Sequence, residues 1–442
     1  MVHRLDTRGG DFEAAFVNFL EAEREESVDV EAVAAEILER VRQEGDGAVI
    51  DYTRQFDGLT LTAESMAVEA EAVEEAWRQC EPETLAALKL AAARIEAYHR
   101  RQRPEDETYA DEHGNRLGHR WRPIPAVGIY VPGGTAAYPS SVLMNALPAK
   151  VAGVPRLAMV VPTPSGALNP LVLAAARLCG IDEIYRIGGA QAVAALAFGT
   201  GTISPVDKIV GPGNAYVAAA KRQLFGRVGI DMVAGPSEIL VVADGDNDPA
   251  WIAADLLSQA EHDSSAQAVL ISDDADFAEA VVAAVEGQLA SLQRRRIAAQ
   301  SWDRNGAVIL VGDIAAEAPA LVDRVAPEHL ELAVAEPEPL AERITNAGAI
   351  FLGRLTPEVV GDYIAGPNHV LPTGRSARFS SGLSVLDFMK RTSLVQMQAA
   401  GLAAIGSAAV SLAEAEGLQG HARSLTLRLE TTAADDSEQG RR

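Results

Sequence analysis

A chain of 442 residues is long enough for two or more domains with substantial cores, and its 48% hydrophobic content is ordinary for a soluble globular protein. A formal net charge of −24 argues against nucleic acid as the main partner, because a phosphate backbone repels an acidic surface. No apolar run is long enough to span a bilayer, and the charged first 19 residues lack the apolar core of a signal peptide. These features predict a cytoplasmic protein with no membrane partner.

Three stretches in the first quarter of the chain show a helical pattern. Residues 29–43 place apolar side chains on one helical stripe, and residues 47–54 and 83–101 continue the helical pattern. The polar stretch 109–121 contains the turn residues His113-Gly114-Asn115, which indicates a hairpin or a linker.

From residue 126 onward, short apolar runs alternate with helical stretches, which predicts βαβ units and a parallel sheet. The apolar runs are 127–131, 157–161, 183–187 and 207–210. Glycines follow the first, third and fourth runs, where ligands bind in open α/β sheets. No stretch matches the dinucleotide-binding pattern Gly-x-Gly-x-x-Gly, so glycines that merely form turns are an equally good interpretation.

A second α/β region extends from about residue 236 to about residue 350. Its predicted strands are 239–242, 268–271, 307–311 and 349–352, and its predicted helices are 249–262, 275–290 and 317–325. Beyond residue 382 the pattern is again helical, and residues 431–442 are polar and predicted to fray.

The helix predicted over 249–262 carries two candidate metal ligands at its end. Gln259 and His262 are three residues apart and share a face of the last turn. Asp248 and Pro249 fit the N-cap and the first helical position. A histidine at a helix C-terminus also interacts favourably with the helix dipole, so a simple capping role is the alternative.

Glu328 and His329 are candidates for proton transfer. In a regular strand these neighbours point to opposite faces, so a shared role requires irregular backbone, which the preceding Pro327 favours. An edge strand with exposed polar groups is the alternative.

Two further acid and histidine pairs occur later in the chain. Asp362 and His369 lie in a segment rich in glycine and proline that is predicted to be a loop, where an aspartate commonly serves a turn. Glu416 and His421 lie at a predicted helix end, where the charge of Glu416 opposes the helix dipole.

Four of these side chains offer the nitrogen and oxygen donors that suit a divalent metal such as Zn²⁺. They are Gln259, His262, Asp362 and His421. Spacing alone does not establish the site, because no His-Glu-x-x-His motif is present and an amide is an uncommon ligand. Cys80 and Cys179 have no neighbouring histidine or cysteine, which argues against a disulfide framework, a cysteine-bound zinc and a cysteine nucleophile.

Several separate segments resemble the histidinol dehydrogenase family, over nearly the whole chain. The segments are Val127-Gly128-Ile129-Tyr130-Val131-Pro132-Gly133-Gly134, Gly188-Gly189-Ala190-Gln191-Ala192, Val210-Gly211-Pro212-Gly213-Asn214, Ala234-Gly235-Pro236-Ser237-Glu238, Ser258-Gln259-Ala260-Glu261-His262-Asp263, Ala326-Pro327-Glu328-His329-Leu330, Gly366-Pro367-Asn368-His369, and Glu416-Gly417-Leu418 with His421.

The resemblance implies an α/β fold with two incomplete Rossmann-like lobes, parallel sheets, and small N-terminal and C-terminal extensions that are mainly helical. Residues 29–124 and 236–380 are assigned to a first lobe with the metal and acid/base residues, and residues 125–235 to a second lobe that binds NAD. Residues 1–28 are assigned to the N-terminal helical extension, 381–432 to the C-terminal helical extension that reaches a partner subunit, and 433–442 to a disordered tail.

The resemblance also implies a site shared by two subunits of a homodimer. One Zn²⁺ per subunit would be bound by Gln259, His262, Asp362 and His421 of the partner subunit. NAD would be held by Tyr130, Gln191 and Asn214, and Glu328 and His329 would be the catalytic acid/base pair. L-Histidinol would be contacted by Ser237, Gln259, His262, His329, Asp362 and His369 of one subunit and by Glu416 and His421 of the partner subunit.

The family oxidises L-histidinol to L-histidine through L-histidinaldehyde and its hydrate, the last step of histidine biosynthesis, with two hydride transfers to NAD⁺. His329 would be the general base and acid, and Glu328 would activate water, because neither cysteine is placed for a thiohemiacetal. A zinc hydrolase at the same metal, or a non-catalytic oligomer held together by metal, are the alternatives. Neither alternative explains the three strand-end positions of Tyr130, Gln191 and Asn214.

Overall fold

The structure is a computed structural model that describes residues 2–22, 30–133, 138–233 and 235–439, with side chains through residue 430. Gly134 and Ala234 of the family-like segments, residues 23–28 of the predicted N-terminal extension and residues 440–442 of the predicted tail lie outside the described residues. The chain divides into two compact units, Met1–Gln102 with Ile124–Phe388, and Arg103–Pro123 with Met389–Arg442.

The described strands are β1 (His3–Asp6), β2 (Glu107–Ala110), β3 (Arg116–Pro123), β4 (Ala126–Tyr130), β5 (Arg156–Val160), β6 (Glu183–Tyr185), β7 (Lys208–Val210), β8 (Gly229–Ile230), β9 (Glu238–Ala243), β10 (Gln267–Ser272), β11 (Ala307–Leu310), β12 (His329–Ala333), β13 (Ala349–Leu352) and β14 (Met389–Gln396).

The described α-helices are α1 (Phe12–Glu21), α2 (Val30–Glu44), α3 (Asp46–Asp57), α4 (Ala70–Gln79), α5 (Pro82–Arg100), α6 (Pro139–Ala152), α7 (Pro170–Cys179), α8 (Gly189–Phe198), α9 (Ala215–Leu224), α10 (Pro249–Ala260), α11 (Ala275–Leu289), α12 (Arg295–Asn305), α13 (Ile314–Val325), α14 (Pro337–Ala341), α15 (Glu358–Tyr363), α16 (Ala399–Ala415) and α17 (Gln419–Gln439). None of these helices is long and apolar enough to cross a membrane.

The first unit contains a six-stranded parallel sheet with the order β1-β11-β10-β9-β12-β13. Its central strands are apolar on both faces because helices cover both sides. Leu240 and Val242 of β9 pack in the cluster that contains α1 and α13, and the alternate residues Ile239 and Val241 pack against α10 and α11. The predicted α/β class with parallel sheets is confirmed.

The first unit also contains a five-stranded parallel sheet with the order β6-β5-β4-β7-β8. Its core includes α8 and also the apolar stripe of α2, which carries Ile37, Leu38 and Val41. The sequence-based assignment groups residues 29–124 with the six-stranded sheet. The packing corrects that placement for α2 and α3, because their apolar faces are buried in this cluster. The further division of the unit into two lobes stays a prediction.

The predicted helical extension at the C-terminus is confirmed by α16 and α17, and two details of the chain ends differ from the prediction. His3–Asp6 forms an edge strand that pairs with β11, so the N-terminal segment is not purely helical. In the second unit, the stretch predicted as a hairpin or a linker is an antiparallel hairpin of β2 and β3, and β14 pairs with β3. Helix α17 extends to Gln439, into the segment predicted to be a disordered tail.

Candidate active site

A cavity of about 430 Å³ lies in the first unit at the carboxyl ends of strands from both sheets. This is the edge at which open parallel sheets bind ligands. The cavity is lined by nine of the predicted site residues, namely Tyr130, Asn214, Ser237, Gln259, His262, Glu328, His329, Asp362 and His369. Gln191 is buried and is not among the lining residues.

Helix α10 delivers Gln259 and His262 side by side, as its sequence predicts. Asp248 caps the helix by accepting the N–H of Ala250 at 2.8 Å, and Pro249 is the first helical residue. At the other end, Gln259 Nε2 lies 3.4 Å from His262 Nδ1. Gln259 is fully buried, and its Oε1 has no hydrogen-bond partner among the described residues. A buried acceptor without a partner is costly, and a cation would satisfy it.

Glu328 and His329 are brought to the same cavity by irregular backbone just before β12. Ala326 ends α13 in a left-handed conformation with φ of 49°, which a non-glycine residue rarely adopts. Strand β12 begins only at His329, so Glu328 escapes the strand alternation that would send it to the opposite face. The hypothesis of irregular backbone is confirmed, and the edge-strand alternative is wrong because both side chains are buried.

One residue of β9 holds both members of this pair through its backbone. The N–H of Glu238 donates to Glu328 Oε2 at 2.9 Å, and His329 Nδ1 donates to the carbonyl of Glu238 at 3.0 Å. The bond to a carbonyl makes Nδ1 the protonated ring nitrogen and leaves Nε2 as the free one. Nε2 has no hydrogen-bond partner within the described part of the chain and lies 3.5 Å from Asp362 Oδ1.

Burial and charge shift the proton affinities of this pair strongly. Burial raises the pKa of Glu328 to about 8, although the nearby His329 works against that shift. For His329, burial alone would lower the pKa. The carboxylates of Glu328, Asp362 and Glu358 outweigh it and raise the pKa to about 10. Shifted proton affinities of this kind are common among the acids and bases of active sites.

Asp362 lies beside Nε2 of His329, on the side away from Glu238, and His369 is bonded to the backbone of Asp362. Asp362 was predicted in a loop, but it lies in the short helix α15, one residue before its end. His369 Nδ1 donates to the backbone carbonyl of Asp362 at 3.0 Å. Burial opposes ionisation of Asp362, but His329, His369 and His262 together keep its pKa below the usual value. Burial lowers the pKa values of His262 and His369, so both imidazoles tend to be neutral and available as ligands.

A second arrangement of possible metal ligands involves a residue that the sequence analysis missed. Ligand atoms of His329, Glu358 and Asp362 all lie within 4.8 Å of one another. Glu358 is buried, its Oε2 accepts the Ser258 hydroxyl at 2.9 Å, and burial raises its pKa to about 7. Had α15 been recognised as a helix, the spacing of four between Glu358 and Asp362 would have indicated a shared face.

The predicted cofactor residues lie at the carboxyl end of the five-stranded sheet. Tyr130 ends β4, and its hydroxyl accepts the N–H of Gly189 at 3.0 Å. Gln191 is in the first turn of α8, and its Oε1 has no partner among residues that the structure describes. Asn214 caps α9 by accepting the N–H of Val217 at 3.1 Å. The amino ends of α8 and α9 therefore both point to this edge, where anions are favoured.

Comparison with known proteins identifies the family. The family model described as histidinol dehydrogenase matches residues 20–429. The chain belongs to the histidinol dehydrogenase family. It is 64% identical over 426 residues to a histidinol dehydrogenase of Rhodospirillum rubrum, covering 96% of this chain and 98% of that one. It is 62% identical over 429 residues to one of Rhizobium meliloti, covering 97% and 99%.

A solved structure agrees with this assignment. The crystal structure of histidinol dehydrogenase from Elizabethkingia anophelis matches with a TM-score of 0.92 at 36% identity, covering 97% of this chain and 98% of that chain. The chain is therefore an enzyme, an oxidoreductase of the histidinol dehydrogenase family, with that family's fold.

Two residues that the family resemblance assigns to the site belong to the second unit. Glu416 is the C-cap of α16, and Gly417 follows in the left-handed conformation with φ of 74°. His421 lies in the first turn of α17, and its N–H donates to the carbonyl of Leu418 at 3.0 Å. Their roles toward metal and substrate stay predictions.

Proposed function

We propose that this enzyme oxidises L-histidinol to L-histidine with NAD⁺, through the aldehyde and its hydrate, and that it catalyses the last step of histidine biosynthesis. The observation that carries the proposal is the buried Glu328–His329 pair, held by the backbone of Glu238. The pair lies in a cavity that also reaches the ends of the five-stranded sheet. Family membership supports the substrate, because the relatives are named for it.

His329 is the proposed general base for both oxidations. Its Nδ1 is committed to the carbonyl of Glu238, so Nε2 is the nitrogen that takes the substrate's hydroxyl proton. A proton leaves the oxygen as a hydride leaves the carbon, which converts the alcohol to the aldehyde. The neighbouring carboxylates raise the pKa of His329, which favours transfer of the substrate's proton to it.

Glu328 is the proposed base for the step between the two oxidations. Addition of water to the aldehyde gives a hydrate: the carboxylate of Glu328 accepts a proton from the water, and His329 returns to the aldehyde oxygen the proton that it took in the first oxidation. His329 then takes a proton from one hydroxyl of the hydrate as the second hydride passes to NAD⁺, which yields the carboxylic acid of histidine, and this acid loses its remaining proton to become the carboxylate. No cysteine lines the described cavity, and the buried Cys179 has its pKa raised to about 12 by burial, so a thiol intermediate has no candidate there.

The residues present fit a divalent zinc ion. The donors Gln259, His262 and Asp362 converge on the cavity, and the orphaned Oε1 of Gln259 is a ready oxygen ligand. Bound there, zinc would orient the substrate's imidazole and amine and offset the negative charge of Asp362. In addition to the metal ligands and His329, we propose that Ser237 and His369 of the first unit contact the substrate. His329, Glu358 and Asp362 form the competing ligand set.

The residues at the five-stranded sheet fit NAD. Tyr130, Gln191 and Asn214 supply neutral hydrogen-bonding groups beside two helix amino ends, and the unpartnered Oε1 of Gln191 can accept a bond from the cofactor. NAD⁺ would accept the two hydrides in turn.

We also propose that the enzyme is a homodimer whose sites are shared. His421 of the partner subunit would complete the zinc ligands, and Glu416 of the partner subunit would contact the substrate. His421→Phe is expected to reduce bound zinc to a small fraction of one per subunit while the secondary structure stays intact. Metal analysis with circular dichroism checks this, and a wild-type zinc content in the folded variant would reject the shared ligand.

The direct test of the function is the ratio of NADH formed to histidine formed from L-histidinol. Two hydride transfers require a ratio of about two, and chelation of the metal is expected to abolish turnover until zinc is restored. Turnover of a hydrolysable substrate without NAD⁺ would favour a zinc hydrolase instead. Loss of the oligomer on chelation, with no activity beforehand, would favour a metal-held assembly without catalysis.

A further inference from the structure

Lys221 and Asp231 form a buried ion pair beside the loop that follows β7. Lys221 lies in α9 and Asp231 directly follows β8, and their side chains are only 3% and 1% exposed. Lys221 Nζ is paired with Asp231 Oδ1. Removing two charges from water costs about as much as their attraction returns, so such a pair is a poor device for stability alone. Its hydrogen bonds indicate another role.

The pair holds both polar groups of one residue's backbone. Lys221 Nζ donates to the carbonyl of Gly211 at 3.0 Å, and the N–H of Gly211 donates to Asp231 Oδ2 at 2.7 Å. Asp231 Oδ1 also accepts the N–H of Met232 at 2.7 Å. Both oxygens of the carboxylate are therefore held by backbone N–H groups. Gly211 therefore has little freedom to move or to rotate its peptide groups.

Gly211 occupies a place where only glycine fits. Its φ is +111°, which L side chains rarely adopt, and a Cβ there would lie 2.0 Å from the carbonyl oxygen of Tyr130. The following residues Pro212, Gly213 and Asn214 line the cavity. Gly211 thus contacts one proposed cofactor residue, Tyr130, and begins the loop that carries another, Asn214.

We propose that Lys221 and Asp231 are positioning residues for the nicotinamide dinucleotide. By clamping Gly211 against Tyr130, the pair fixes residues 211–214 in the conformation that receives the cofactor. The inference rests on the proposed NAD-dependent function. Both side chains also border the cavity, where the pair presents no net charge that would repel a phosphate.

Lys221→Met is the main variant, because methionine is also a long unbranched side chain but cannot donate to Gly211. Lys208→Met is the matched control. Lys208 is a buried lysine at the opposite end of β7, its Nζ donates to the carbonyl of Asp387 at 2.8 Å, and it does not line the cavity. Each variant loses a lysine hydrogen bond to a carbonyl, but only Lys221 holds the cofactor loop.

Initial rates of the zinc-loaded enzyme with L-histidinol and NAD⁺, together with equilibrium dialysis of NAD⁺, provide the readout. We expect Lys221→Met to raise the KM and the Kd for NAD⁺ about ten- to a hundredfold, as expected for a lost bond to a charged group. The KM for L-histidinol should stay within about twofold. Lys208→Met should leave both KM values near wild type. Equal effects of the two variants, or unchanged NAD⁺ binding in Lys221→Met, would overturn the proposal.

Two further variants keep the inference testable if Lys221→Met does not fold. Asp231→Asn retains one acceptor for two backbone N–H groups and should weaken NAD⁺ binding by a smaller factor. Gly211→Ala disturbs the same loop through the contact with Tyr130 and should raise the KM for NAD⁺ as well. If wild type neither binds nor reduces NAD⁺, the proposed function fails. If wild type binds it and folded variants bind it equally well, only the positioning role fails.

Discussion

The two parallel sheets of the first unit bring different chemistry to the same cavity. Around the six-stranded sheet the important side chains are titratable and buried, as Glu328, His329 and Asp362 show. Around the five-stranded sheet they are a phenol and two amides, with helix amino ends behind them. Proton transfer needs groups with shifted pKa values, whereas a dinucleotide needs neutral hydrogen-bonding groups and a favourable field for phosphates.

The difference also appears in how each set of residues is held. Glu328 and His329 are fixed by the strand next to them, through both backbone groups of Glu238. The cofactor side is fixed through a glycine whose backbone groups are held by the Lys221–Asp231 pair. Substitutions on the first side should therefore change the rate of chemistry, and substitutions on the second should change cofactor affinity.

The largest effect is expected for His329→Asn. Because His329 serves both oxidations, we expect kcat from L-histidinol and from L-histidinaldehyde to fall together, by about 10²–10⁴. Stopped-flow measurement of NADH from each substrate checks this, with zinc content and NAD⁺ affinity of the variant measured as controls. A variant that binds zinc and NAD⁺ normally and whose kcat stays within about tenfold of the wild-type value would contradict the role of His329 as general base.

Glu328→Gln should have a more selective effect. The first oxidation should slow only modestly, whereas the conversion of aldehyde to histidine should fall by about 10² or more, because the amide cannot accept the proton of water. Rapid mixing from histidinol and from the aldehyde separates the two stages. Glu331→Gln is the matched control, since Glu331 is a buried glutamate of β12 that accepts the N–H of Glu358 and does not line the cavity. If Glu328→Gln slows both stages equally, Glu328 is not the base that activates water.

Much of the α/β pattern was predictable because its signals are local. The strand predicted over 207–210 is β7 (Lys208–Val210), and the helix predicted to begin after Asn214 is α9 (Ala215–Leu224). Apolar runs and turn glycines are enough for such elements. Strand β1 was missed because four residues of mixed polarity become a strand only by pairing with β11, about three hundred residues later.

The site was predictable in its residues but not in its arrangement. The family resemblance selected Glu328, His329 and Asp362, yet spacing did not show that a left-handed Ala326 brings the first two together. The sequence predicts a loop where helix α15 lies, because six residues including Gly361 are too few for helical periodicity to show. Glu358 was missed with it.

The smallest expected effect concerns two neighbouring acids of the six-stranded sheet region, the half-buried Asp255 of α10 and the buried Glu331 of β12. Burial raises the pKa of Asp255 to about 6, while a hydrogen bond with Glu331 works against this. Burial and the neighbouring Asp255 raise the pKa of Glu331. A pKa raised above the unfolded value means that the folded state binds the proton more tightly. The stabilisation is complete below about pH 4 and is lost as pH rises through about 6.

Asp255→Asn should therefore reduce the loss of stability between about pH 5 and pH 7.5. The amide cannot ionise, and it can donate a hydrogen bond to an ionised Glu331. We expect the pH-dependent decrease in the free energy of unfolding to shrink by on the order of 1 kcal/mol, after allowance for partial exposure. Urea unfolding at the two pH values measures it, with the exposed Asp276→Asn as a control that should behave like wild type. If the decrease is the same in Asp255→Asn as in wild type, ionisation of Asp255 does not destabilise the fold. The difference between the two sheets in the pKa values of their acids would then be limited to the residues that line the cavity.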